Sequence, residues 1–142
     1  MIYTAQTKKA MDFCFKAHKE QVDKSGLPYV FHPFHLAEQM ETEETTVAAL
    51  LHDVVEDTDY TFEDLAKEGF SSSVIEALKL LTHDEKVKYE VYVKALKDNP
   101  IAKAVKLADL RHNSDLSRLD EVTEKDLKRR QKYLDAIKIL EE

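Results

Sequence analysis

The segment at residues 50–57, LLHDVVED, constrains the fold more than any other part of the chain. Its apolar residues are so dense that the helix carrying them is predicted to be central, because a helix that is apolar on nearly all sides must be buried. His52 and Asp53 stand inside this apolar run, and burying a charge is costly unless it is paired or bound to a metal ion. The segment therefore predicts a helical core with a polar site built into it.

Helical spacing continues along the rest of the chain. Ala10, Phe13, Cys14 and Ala17 recur on one face and predict a first helix over about residues 4–22. Capping residues and prolines predict further helices at about 33–40, from 42 through the segment 50–57, at 61, at 71–81, at 89–97, from 99 onward and from 123 onward. No run alternates as a strand does. We therefore predict an all-α fold of about seven to eight helices in one domain over residues 1–142, with no synthetase or regulatory domain.

Charge and cysteine content limit the classes of partner. A formal net charge of −7 argues against the basic stripe of a nucleic-acid-binding protein, although a bound divalent cation still allows a small anionic substrate. Cys14 is the only cysteine, which excludes an intrachain disulfide and a thiolate zinc cluster. The sequence has no stretch with the length of a membrane span and no signal peptide. We predict a cytoplasmic protein that binds neither nucleic acid nor membranes, and the sequence leaves its oligomeric state open.

The predicted central helix directs four chemically active side chains toward one region. Glu56 follows His52 by four residues and Asp53 by three, and Asp57 follows Asp53 by four, so these side chains are neighbours on the helix surface. The simpler alternative is a satisfied core histidine beside a solvated acidic edge. That alternative stays open for the segment alone, because short motifs often match by chance.

Two other segments supply candidates for the same site. Asp109, in AVKLADLRHNSD, lies beside the core face of its predicted helix, and the alternative is an ion pair with Lys106, Arg111 or Arg118. His32 lies in PYVFHP, a segment that its prolines are expected to hold extended, and the alternative is a histidine that caps the following helix.

Together, the two imidazoles and two carboxylates would form a site of nitrogen and oxygen ligands without sulfur. Such a ligand set suits Mn²⁺ or Fe²⁺ with open positions for water, and it also accommodates Zn²⁺. A water on such an ion has its pKa lowered toward neutrality and is a nucleophile at working pH. The residues therefore indicate a metal-dependent hydrolase.

Four segments of the chain resemble the HD-domain phosphohydrolases, and more narrowly the RelA/SpoT-type hydrolase domain and the stand-alone small alarmone hydrolases. They are AHKEQ (17–21), KSGLPYVFHP (24–33), ALLHDVVEDT (49–58) and VKLADLRHN (105–113), and they occur in the family order. The resemblance implies an all-α HD-domain bundle and one bound metal ion, usually Mn²⁺. It implies hydrolysis of the 3′-pyrophosphate of guanosine-3′,5′-bis(diphosphate), ppGpp, or of pppGpp, to GDP or GTP and pyrophosphate.

The resemblance also implies roles for individual residues. The implied metal ligands are His32, His52, Asp53 and Asp109. The acidic pair that orients and deprotonates the attacking water matches Glu56 and Asp57. The substrate-contacting positions match Lys24, Asn113 and Tyr133, although Tyr133 is equally well explained as a core aromatic beside Ile137 and Leu140.

One departure from the family pattern concerns recognition of the base. The alarmone hydrolases typically carry an arginine before the lysine, and that arginine packs on guanine, whereas this chain has Asp23 before Lys24. A carboxylate cannot make the cation–π contact of a guanidinium. The open alternatives are an HD-type hydrolase of another nucleotide or phosphorylated metabolite, and a non-catalytic module that binds nucleotide or metal.

Overall fold

The computed structural model describes residues 1–142 and contains nine α-helices and no β-strand, which confirms the predicted all-α class. The helices are α1 (Ala5–His18), α2 (Phe31–Glu38), α3 (Glu43–Leu51), α4 (Val54–Asp57), α5 (Phe62–Lys67), α6 (Ser72–Leu81), α7 (Tyr89–Leu96), α8 (Pro100–Asn113) and α9 (Glu124–Glu141). A 3-10 turn, Leu116–Arg118, lies between α8 and α9. No helix combines the length and the apolar character that crossing a membrane requires.

Helix α3 lies at the centre of the molecule, as its apolar sequence predicts. Every residue from Thr46 to Leu51 is buried, and α3 packs against α1, α2, α6 and α8. A capping box between Thr42 and Thr45 fixes the start of α3. The end of this helix is therefore held in place by four neighbours, and that end carries His52.

The predicted helix through residues 50–57 is interrupted at the polar pair, so the prediction of one continuous helix is wrong there. His52 is the C-cap residue of α3. Asp53, the next residue, has non-helical dihedrals of φ −106° and ψ 2°, and α4 begins after it. The Nδ1 atom of His52 lies 2.7 Å from the carbonyl oxygen of Ala49, the group that an uninterrupted helix would pair with the amide of Asp53. The interruption turns Asp53 away from the regular helical direction and brings its carboxylate toward the His52 ring.

The segment between α1 and α2 also differs from its prediction. Helix α1 ends at His18, and residues 21–29 form a tight hairpin in which Tyr29 N–H donates to Gln21 O and Asp23 N–H donates to Leu27 O, both at 2.8 Å. Gly26 allows this turn because its φ of +82° is costly for other residues. The hairpin returns the chain early enough for α2 to begin at Phe31, so His32 lies in a first helical turn and not in an extended segment.

The central position of α3 generates a stability prediction. We expect Leu50→Ala, at a side chain with no exposed surface, to lower the free energy of unfolding by about 2–5 kcal/mol, because it removes apolar burial and leaves a cavity. Leu80→Ala, at a side chain that is 37% exposed on α6, should cost less than about 1 kcal/mol. Urea unfolding measures both, and equal costs would contradict a core centred on α3.

Candidate metal centre and adjoining cavities

Three side chains from separate helices form a buried cluster that can hold a metal ion. His32 comes from α2, His52 from the end of α3 and Asp109 from α8, and one ligand atom from each lies within 4.8 Å of the other two. The Nε2 atom of His32 is 2.8 Å from Asp109 Oδ1, and the Nε2 atom of His52 is 3.6 Å from the same oxygen. The structure therefore brings together residues separated by up to 77 positions in the sequence.

Asp53 lies at the edge of this cluster. Its Oδ2 atom is 3.0 Å from His52 Nε2, and it accepts a hydrogen bond from the hydroxyl of Tyr29. Asp53 is not within the group of three that lies inside 4.8 Å. The fourth predicted ligand is thus next to the other three, with one of its oxygens directed at the His52 ring.

The hydrogen bonding of His52 tests whether these residues suit a cation. Its Nδ1 faces the carbonyl oxygen of Ala49, which can only accept, so Nδ1 carries a proton and Nε2 of the neutral ring has a lone pair. That Nε2 is buried without a hydrogen-bond partner, and carboxylate oxygens of Asp53 and Asp109 face it. A lone pair directed at two carboxylates is unfavourable unless a positive charge lies between them. The donor set therefore fits a divalent cation, with Ala49 fixing the ring orientation.

The two oxygens of Asp109 have different partners. Oδ1 faces both imidazoles and accepts from Asn113 Nδ2 at 3.0 Å, whereas Oδ2 accepts from Lys106 Nζ at 3.1 Å. Burial acts to raise the pKa of Asp109, but the Lys106 cation, the hydrogen bond from His32 and the nearby His52 imidazole outweigh it and hold that pKa well below its usual range. Of the ion pairs considered for Asp109, the structure contains the one with Lys106. That pair leaves Oδ1 as the oxygen available to the cluster.

Asp53 has the opposite electrostatic setting. Burial, followed by the nearby carboxylates of Asp109, Asp57 and Glu56, raises the pKa of Asp53 well above its ordinary value. Four carboxylates in one region repel one another, and a bound cation would offset that repulsion. The pKa values of Asp53 and Asp109 are thus displaced in opposite directions by their surroundings.

Glu56 and Asp57 line a cavity of about 530 Å³ that also reaches His52, Asp53 and Asp109. One oxygen of Glu56, Oε1, accepts from the backbone N–H of His83 at 3.0 Å, which fixes the position of that side chain. Asp57 is exposed, and its backbone carbonyl accepts from Gln21. The acidic pair therefore faces the same cavity as the cluster.

A second cavity of about 330 Å³ is lined by His32. Lys24 lines this second cavity only, while Asn113 and Tyr133 line both cavities. Tyr133 is partly buried against the core and also lines both cavities, and burial raises its pKa. Its role as a substrate contact stays a prediction. The three predicted substrate-contacting residues thus line two cavities next to the cluster, and Asn113 and Tyr133 are common to both.

Sequence reasoning missed two residues that support the site. Tyr29 donates to Asp53, and its only signal was its position in the hairpin segment before His32. His112 lies with its Nδ1 atom 2.7 Å from His32 Nδ1, and the two rings meet edge to edge with only 8° between their planes. Burial and the nearby Arg118 lower the pKa of His112 to about 4, so it is a neutral partner for His32.

Comparison with known proteins places these features in a family. The model of the HD domain matches residues 10–113. A guanosine-3′,5′-bis(diphosphate) 3′-pyrophosphohydrolase from Aquifex aeolicus is 39% identical over 92 residues, which are 62% of this chain and 13% of the relative. A protein of the same name from Spiroplasma citri is 35% identical over 127 residues, which are 76% of this chain and 16% of the relative. The chain therefore spans less than a fifth of the length of these relatives.

A solved structure has a similar size as well as a similar fold. It is a metazoan ortholog of SpoT that hydrolyses ppGpp, and it matches with a TM-score of 0.72 and 28% sequence identity. The match covers 99% of this chain and 85% of that one. The predicted resemblance to RelA/SpoT-type proteins is confirmed by these comparisons.

The setting of Asp53 predicts a trade-off between stability and metal binding. Because its folded-state pKa is raised, ionised Asp53 lowers stability above the unfolded pKa of about 3.9, and this cost disappears as the pH falls toward that value. We expect Asp53→Asn to raise the melting temperature of the metal-free protein at pH 7 by a few degrees, since about 1 kcal/mol corresponds to roughly 3–5 °C in a domain of this size. The same variant should lose most of the increase that Mn²⁺ gives the wild type.

Asp98→Asn, at an exposed carboxylate in the turn between α7 and α8, is the matched control and should change neither melting temperature. A metal-free Asp53→Asn protein that is less stable than the wild type would contradict the repulsion argument.

Proposed function

Because the chain belongs to the HD domain family, we propose that it is a metal-dependent phosphohydrolase that removes the 3′-pyrophosphate of ppGpp or pppGpp. The observation that carries this proposal is the buried cluster in which His52 Nε2 faces two carboxylates without a hydrogen-bond partner. The names of the relatives and the similarity in length to the metazoan SpoT ortholog support the choice of substrate. The products would be GDP or GTP and pyrophosphate.

The proposed ligands of the metal ion are His32, His52, Asp53 and Asp109, and Mn²⁺ is the ion that we expect. When bound, such an ion supplies a nucleophile by lowering the pKa of a water and stabilises negative charge that develops on the phosphoryl oxygens. Asp109 would contribute its Oδ1 atom, because Lys106 holds its other oxygen. The hydrogen bond of His52 to Ala49 keeps Nε2 free for the ion.

Glu56 and Asp57 are the proposed acid–base residues. Glu56 has one oxygen fixed by His83 N–H, which leaves the other oxygen to accept the proton of the attacking water. Asp57 lines the same cavity and would orient that water. Both residues follow the interruption at Asp53 directly, so the same backbone turn places the ligands and the proton acceptor.

Lys24, Asn113 and Tyr133 are the proposed substrate contacts. Asn113 and Tyr133 line both cavities, so a nucleotide that spans the two would pass between them. The phosphate end would lie in the larger cavity beside the cluster, and the nucleoside end in the smaller cavity with Lys24. This arrangement would put the scissile phosphate ester next to Glu56.

One observation favours a second candidate, a hydrolase of another nucleotide. Position 23 is an aspartate, whose carboxylate cannot stack on guanine as an arginine does. A panel of nucleotides with and without a 3′-pyrophosphate separates the two candidates. Release of pyrophosphate from ppGpp in the presence of Mn²⁺ supports the alarmone proposal, whereas folded protein without such turnover at any metal loading rules it out.

The assigned role of Glu56 generates a kinetic prediction. We expect Glu56→Gln to lower kcat by about 100-fold to 10,000-fold, because the amide still accepts from His83 N–H but cannot take a proton. Metal content, measured by mass spectrometry of the purified protein, should stay at the wild-type level. Glu76→Gln, at an exposed residue of α6, is the control.

A Glu56→Gln protein with an unchanged rate would show that another group accepts the proton. A Glu56→Gln protein that loses both its bound metal and its activity would instead indicate that Glu56 is a metal ligand.

A further inference from the structure

Asp23 is fully occupied by contacts within the protein. Its Oδ1 atom accepts from the backbone N–H of Ser25 at 2.9 Å, from the Ser25 hydroxyl at 2.6 Å and from Leu27 N–H at 3.1 Å. Its Oδ2 atom accepts from Arg118 Nη2 at 3.1 Å. Both oxygens of the Asp23 carboxylate, which departs from the family pattern, therefore already accept hydrogen bonds within the protein. Its Oδ2 atom binds the guanidinium of Arg118.

Arg118 is fixed at the wall of the smaller cavity. It comes from the 3-10 turn after α8, 95 residues from Asp23, and its other terminal nitrogen, Nη1, donates to the carbonyl oxygen of His112 at 3.1 Å. Its side chain is 24% exposed, and both it and Asp23 line the cavity of about 330 Å³. These two hydrogen bonds lie in the plane of the Arg118 guanidinium and fix its orientation. Because they engage N–H groups at the edge of that plane, the two faces of the guanidinium remain available for stacking.

The other cations of this cavity have different settings. Arg129 is paired with Asp126 on its own helix at 3.1 Å, whereas Lys24 has no carboxylate oxygen within 4.0 Å. A lysine without a carboxylate partner suits a phosphate as a point charge, and a planar guanidinium held at its edge suits an aromatic ring. The cavity therefore contains a cation suited to a phosphate, Lys24, and a planar group suited to a base, the guanidinium of Arg118.

We propose that Arg118, oriented by Asp23, is the residue that stacks on the purine base, in place of the arginine that the resembling enzymes carry before the lysine. The inference rests on the proposed function for the identity of the nucleotide. It assigns base recognition to two residues in contact from separate chain segments, with Asp23 as the positioning residue and Arg118 as the contact.

Binding of two product fragments tests this proposal without relying on turnover. GDP carries the base, whereas inorganic pyrophosphate does not, and calorimetry of the Mn²⁺-loaded protein measures both. We expect Arg118→Ala to weaken GDP binding about tenfold and pyrophosphate binding less than about twofold, since stacking on a partly buried guanidinium is worth about 1–2 kcal/mol. In ppGpp hydrolysis the same variant should raise KM by a similar factor and change kcat little.

Three further variants separate stacking from charge and from folding. Arg118→Lys keeps the cation but loses the planar face, so it should weaken GDP binding nearly as much as Arg118→Ala. The exchange D23R/R118D keeps an ion pair between the two positions and moves the guanidinium to the hairpin segment, so it should recover GDP binding relative to Arg118→Ala. Arg111→Ala breaks the exposed ion pair with Glu141 at 2.7 Å, outside both cavities, and should change neither ligand.

Equal losses of GDP and pyrophosphate binding in Arg118→Ala would overturn the proposal, because they would indicate a general electrostatic effect. Wild-type affinity for GDP in Arg118→Lys, or in Arg118→Ala, would overturn it as well, as would wild-type protein that binds pyrophosphate but not GDP. If ppGpp is not hydrolysed, the two binding measurements still decide the role of Arg118, so failure of the proposed function is distinguishable from failure of this inference.

Discussion

The hydrogen bond between His52 and the carbonyl oxygen of Ala49 is the contact on which the candidate site depends. It occupies a helical carbonyl, defines the protonated nitrogen of the ring and leaves the other nitrogen directed at Asp53 and Asp109. The bond is possible because α3 is held by four other helices, so its last turn has a fixed position. Packing of an apolar helix thus determines the tautomer of one histidine, and that tautomer determines whether the cluster suits a cation.

Asp109 and Asp53, two carboxylates of the site, have opposite electrostatic surroundings. Asp109 is stabilised as an anion by Lys106 and two imidazoles, whereas Asp53 is partly buried near three other carboxylates. The first arrangement contributes to the folded state without a metal ion, and the second opposes it. In the metal-free protein, repulsion between Asp53 and the neighbouring carboxylates lowers the stability of the folded state, and a bound cation would offset that repulsion. Metal affinity and folding stability are therefore coupled through Asp53.

Much of this arrangement was predictable from the sequence, and the exceptions have physical reasons. Helical periodicity and caps predicted the all-α fold and the central position of α3, because these features depend on local sequence. The interruption at Asp53 was not predictable, since no glycine or proline marks it and a side chain bonded to the helix backbone causes it. The Asp23–Arg118 pair joins residues 95 positions apart, and no local sequence pattern predicts such a contact. The roles of the predicted site residues stay predictions, although these residues line two cavities that share Asn113 and Tyr133.

The ion pair between Asp23 and Arg118 has a consequence for how such a cavity changes during evolution. Replacing either residue alone leaves a partly buried hydrogen-bonding group without its partner or sets two like charges against each other, so single substitutions are disfavoured. The two positions should therefore be inherited together, and descendants of this sequence should keep both residues or exchange both. A base-recognition group can in this way move from one chain segment to another while the cavity keeps the same net charge.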